Sequence, residues 1–126
     1  MSTTGTQRQI PIMGEARRPA LVDDHLIARC ENEADAILLC VHLSRFAHEH
    51  ICESLGVDKG HWSRILQGRA HFPTRKRLAL MRLCGNLAPI QYEAMQSGLV
   101  VRADPLVEEE EALAQRLEEI RRRKAA

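Results

Sequence analysis

The stretch ICESLGVDKGHWSRILQG, residues 51–68, restricts the fold more than any other part of the chain. Its apolar residues recur at helical spacing, and glycine interrupts them at Gly56 and Gly68. Glycine tolerates the left-handed backbone that a tight helix end requires, and Asp58 stands where a carboxylate caps a following helix. The spacing therefore predicts two short helices joined by a turn of about four residues. Such a pair becomes a helix-turn-helix when a small side chain lies at the crossing, a glycine makes the turn and apolar anchors lock the angle. Here Cys52 is the small side chain, Gly56 the turn, and Ile51, Val57, Trp62 and Ile65 the anchors.

The surrounding sequence supports an all-helical reading. Strict alternation of Val, Ile and Thr is missing, and that absence argues against a sheet. Aromatic residues make up only 3% of the chain, so the core must come from aliphatic residues, Ala and Met. Asp23 and Asp24 mark a first helix start, with Leu26, Ile27 and Cys30 on its apolar face. Asn32 can cap the strongly apolar run NEADAILLCVHLS, and a break is favoured there. Ala47, Ile51, Cys52 and Leu55 are expected to face inward on the next helix, with Glu49, Glu53 and Ser54 outward. In TRKRLALMRLC the expected packing face is Leu78, Met81 and either Leu80 or Leu83. APIQYEAMQSGL follows, with Pro89 in a first turn that needs no amide donor.

Three segments result: an N-terminal arm over 1–19, a helix-turn-helix domain over 20–100 and a charged C-terminal helix over 101–126. The expected fold is an all-α compact bundle of about five helices with a C-terminal helical tail. The tail begins at Pro105, is acidic early and basic late, and carries Leu106, Leu113 and Ile120 seven apart with Leu117 alongside. Acid first and base last suits the helix dipole. The tail is either an element for self-association or partner binding, or a helix packed or frayed on the monomer.

Net charge is only +1, but its distribution is uneven. Seven Lys or Arg residues and no acidic residue fall between Lys59 and Arg82. The four cysteines lack Cys-x-x-Cys spacing, which favours buried free thiols in a reducing compartment. His48 and His50 are two apart and so diverge on a helix, giving no metal-ligand pattern. Neither metal nor cofactor is expected. The opening MSTTGTQRQIPIMG lacks the apolar core of a signal peptide, and no stretch approaches membrane-spanning length, so a cytoplasmic location is expected.

Residues 48–68 resemble the helix-turn-helix of the lambda-repressor-like (Xre-like) regulators, through Ile51, Cys52, Leu55, Gly56, Val57, Trp62, Ile65 and Leu66 and the Gln67-Gly68 ending. Cys52 stands where that family usually has alanine. The wider span 36–98 resembles prophage-type regulators of Gram-negative bacteria, sharing the character of GHWSRILQG, AHFP and LCGN. The resemblance implies about five helices, binding of double-stranded DNA at operators often as a homodimer, and a role in transcription, hence association with the nucleoid. It implies that residues 58–67 enter the major groove.

On that reading Lys59, His61, Ser63 and Arg64 contact bases, Arg64 with a planar fork suited to guanine O6 and N7. His48, Arg69, His71, Arg75, Lys76 and Arg77 contact the phosphate backbone and position the duplex. The alternative is a helix-turn-helix scaffold that docks on another protein, for which such a local excess of base has no use. Catalysis is not expected. Asp58, His61 and Ser63 lie together on one small exposed helix without an enclosing pocket.

Overall fold

A run as apolar as AILLCV has no polar face to give to water, so it belongs at the centre of a bundle. The computed structural model, which describes residues 18–125, places it there. In order the helices are α1 (Asp24–Ala28), α2 (Glu33–Ser44), α3 (His48–Leu55), α4 (Lys59–Leu66), a 3-10 turn (Thr74–Lys76), α5 (Arg77–Cys84), α6 (Ala88–Gln96) and α7 (Pro105–Ala125). Among the described residues there is no β-strand. The fold is the all-α bundle with a C-terminal helix, and α2 packs against α4, α5 and α6. The proposed arm falls mostly on residues 1–17, outside the described residues.

The break between α1 and α2 lies where Asn32 predicts it. The Asn32 side chain accepts from the Asp35 amide at 2.9 Å, and Asp35 Oδ2 accepts from the Glu31 amide at 2.8 Å. The first bond satisfies an amide that a helix start leaves without a partner, and the second fixes the chain entering the helix. Ala36, Ile37, Cys40 and Val41 of α2 are fully or almost fully buried, and Ile27, Ile51, Ile65 and Leu80 close around them.

Of two buried amide side chains, Gln91 attaches the N-terminal segment to this core and Asn86 ties α2 to the turn before α6. Gln91 Oε1 accepts from the Val22 amide at 2.7 Å while its Nε2 donates to the Val22 carbonyl at 2.9 Å. Asn86 Nδ2 donates to the Cys40 carbonyl at 3.0 Å, and its Oδ1 accepts from the Ala88 amide at 3.1 Å. Each residue thereby donates from its amide nitrogen and accepts at its amide oxygen, where a group left unpaired would cost about 1–3 kcal/mol.

Two facing expectations are corrected. Leu78 is 51% exposed, because the buried face of α5 is Leu80, Met81 and Cys84. Two residues before Leu80 lies the opposite side of the helix. Ala47 is exposed as well, since it is the residue preceding α3 rather than part of its inward stripe.

Candidate nucleic-acid interface

The α3–turn–α4 unit is built on the residues that define it in the sequence. Gly56 ends α3 with φ of 66°, a conformation side-chain-bearing residues rarely take. The Val57 amide, just past it, donates to the Cys52 carbonyl at 2.9 Å. Ile51, Cys52, Val57, Trp62 and Ile65 are all buried, and Trp62 meets Phe72 edge-on at 6.4 Å. Burial holds the Cys52 thiol above its ordinary pKa, and so keeps it neutral. The crossing is therefore rigid and apolar, and α4 projects its other face outward.

Asp58 starts α4. Its Oδ2 accepts from the amides of Gly60 at 3.0 Å and His61 at 3.2 Å. Gly60 has a second role. A Cβ there would stand 3.1 Å from Asp58 Oδ2 and 3.6 Å from Arg64 Nη1. The Arg64 guanidinium lies back over this bare backbone, toward the helix start. Long side chains on a helix lean toward its N-terminus, so the Arg64 head is carried to the end of α4 where side chains converge.

Lys59, Ser63 and Arg64 are exposed and His61 is half-buried, so all four are on the accessible part of α4. Lys59 is not alone: its Nζ lies 3.2 Å from Glu49 Oε2 on α3. Both side chains are largely exposed, and such a pair contributes about 0.5 kcal/mol. The stretch from Lys59 to Arg82 contains no acid, yet the fold supplies one from ten residues upstream. Ser63 Oγ accepts from Gln67 Nε2 at 3.4 Å.

His48 is exposed at the start of α3, and Trp62 fixes it. The Trp62 Nε1–H donates to His48 Nδ1 at 2.9 Å, with the rings edge-on at 5.7 Å. A histidine that accepts at Nδ1 carries its proton on Nε2, so the imidazole presents a ready N–H donor beside α4. Sequence spacing identifies Trp62 as core, which it is, but does not reveal this link across the motif.

The more distant basic residues separate into two groups. Arg69 and Arg75 are exposed. His71 projects into solvent, with Nδ1 3.7 Å from Glu33 Oε1. Lys76 Nζ donates to the Gly56 carbonyl at 2.9 Å, bracing the turn between α3 and α4. Arg77 is withdrawn from the surface: Nη1 bonds Glu93 Oε1 at 2.8 Å, Nη2 donates to the Pro89 carbonyl at 3.3 Å, and the side chain is 19% exposed. This corrects the expectation that Arg77 meets a phosphate. It joins α5 to α6 instead, and its acidic partner lies 16 residues away, beyond local charge counting.

Among the described residues no group of His, Cys, Asp and Glu is arranged to hold a metal ion, and no helix is long and apolar enough to cross a membrane. Comparison with protein-family models, curated proteins and solved structures finds no match to this chain.

Proposed function

We propose that this chain is a sequence-specific double-stranded DNA-binding transcriptional regulator, with α4 as the recognition helix in the major groove. The observation that carries the reading is the Arg64 guanidinium lying back over Gly60, at the exposed start of a helix capped by Asp58 and seated on buried Trp62 and Ile65. A guanidinium there has the two parallel donors that guanine O6 and N7 accept. Lys59, His61 and Ser63 flank it as further base contacts, and the Nε2–H of His48, with Arg69, His71 and Arg75, meets phosphates on either side. Lys76 contributes charge near the groove while its ammonium braces the turn. Arg77 has no part in the interface.

Selection from a pool of random duplex DNA, followed by affinity measurements across salt concentrations, tests the proposal. A recovered motif whose affinity falls steeply with salt is the expected result. Arg64→Ala is expected to lose about 1–3 kcal/mol on that motif and to relax preference at one base position. Equal losses on selected and random duplex would reduce Arg64 to a phosphate contact.

A docking module for another protein is the second reading, and one observation favours it. The outward face of α3 carries Glu49 and Glu53, and the exposed ring of Phe46 lies 4.8 Å from that of His50, a mixed acidic and aromatic surface unlike one shaped only for phosphate. No enrichment of any duplex in the selection would transfer the weight to that reading.

A further inference from the structure

The longest helix does not contribute a single buried residue. Across the 21 residues of α7, Leu106, Leu113, Leu117 and Ile120 are between 47% and 71% exposed. At 3.6 residues per turn these four side chains fall on one stripe, with Glu110 and Lys124 on the same line. The first turns of α7 do meet the body, but through another side. Val107, Glu108 and Glu111 face a cleft lined by Arg18, Leu21 and Leu78, where Arg18 pairs with Glu111. The apolar stripe consequently points away from the domain.

The charge on α7 is sharply divided. Residues 106–115 contain four glutamates and no base, while 116–125 contain five bases and two glutamates. Side-by-side pairing with a second copy in the same direction would stack glutamates on glutamates and arginines on arginines. Reversing one helix sets each acidic half against a basic half, twice, about a two-fold axis. A register centred between Leu113 and Leu117 puts Leu113 against Leu117 of the second copy in both directions. It also brings Glu110 and Lys124 of opposite copies to about one helical turn from each other, so the two charges on the stripe fall near opposite charges.

We infer that α7 is a self-complementary interface that pairs antiparallel with α7 of a second copy. Apolar contact between the leucines supplies the attraction, and the acid-to-base polarity selects the orientation. This inference rests on α7 alone and stands whether or not α4 binds DNA.

Sedimentation of the full chain without DNA across the micromolar range, with orientation read by disulfide trapping, tests it. Of the native cysteines only Cys30 is part-exposed, so Cys30→Ser gives a suitable background. The wild type is expected to sediment as a dimer that loosens in high salt. The double substitution Leu113→Glu with Leu117→Glu is expected to weaken dimerisation by about a hundredfold or more, with the circular dichroism melt of the body retained. Under oxidation, Leu106→Cys mixed with Lys124→Cys should yield a linked dimer that neither variant forms alone. A linked dimer from Leu106→Cys by itself would overturn the antiparallel arrangement. A monomer at every concentration, or a dimer indifferent to the double substitution, would overturn the interface.

Discussion

At Gly60 two opposing stability effects meet, beside the Arg64 guanidinium. A glycine inside a helix costs about 1 kcal/mol relative to alanine, so Gly60→Ala would ordinarily stabilise α4. Here the added methyl would press on Asp58 Oδ2 from 3.1 Å, and so disturb the cap, while meeting Arg64 Nη1 at 3.6 Å, an ordinary contact. The two stability effects oppose each other, and the melting free energy of Gly60→Ala is expected to stay within about 1 kcal/mol of wild type. Discrimination between selected and random duplex is expected to stay near that of the wild type, because the methyl reaches Arg64 only at ordinary contact distance. Urea melts paired with fluorescence anisotropy on both duplexes check this. A fall in the ratio of the two affinities would show that the bare backbone at Gly60 has a role of its own in recognition. The sequence shows a glycine at this position, but not the guanidinium lying over it. That placement depends on how Arg64 folds back along the helix.

At the scale of elements, the start of α4 rests on a single carboxylate. Asp58 satisfies two amides at once, and no glutamate stands in the first turn of α4 to share the task. Asp58→Ala is expected to cost about 1 kcal/mol, and Asp58→Ser to recover most of that, as measured by denaturant midpoints. Both changes should raise exchange of the first α4 amides without loosening α2. This cap was legible in the sequence, as were the Gly56 turn, the buried anchors and the break at Asn32, because each depends on neighbours a few residues away. What was not legible comes from contacts between distant segments: Glu49 on Lys59, Glu93 on Arg77, Trp62 on His48, and the Gln91 clasp on Val22. A count of charge along the chain marked residues 59–82 as wholly unbalanced. The fold pairs two of those bases with acids from other helices and turns a third, Lys76, onto the backbone. Leu78 was misjudged for a related reason. Helical spacing within α5 allows more than one inward face, and α2 and α3 choose between them.

The whole molecule consists of a core-bearing body and a helix set on its outside. Residues 20–22 are clamped by Gln91 and by the backbone bonds of Ala20 with Gly85 and Leu87, so the body is closed at its N-terminal side without α7. Among the described residues the ties from α7 back to the body are the exposed Arg18–Glu111 pair and partial burial of Val107, which together contribute little to stability. A chain ending at Asp104 is therefore expected to retain the body's helical signal and to melt within about 4–8 °C of the full chain, the shift that 1 kcal/mol produces in a domain of this size. If α4 reads a half-site and α7 joins two copies, the same truncation has a selective effect on binding. Affinity for one isolated half-site should be nearly unchanged. On a palindrome with half-sites about 34 Å apart the truncated chain should lose the gain from linked binding, and its salt dependence per binding event should fall toward that of a single copy. Equal losses on both duplexes would instead mean that the basic end of α7, Arg121 to Lys124, touches DNA directly. No loss on either would uncouple pairing through α7 from recognition by α4.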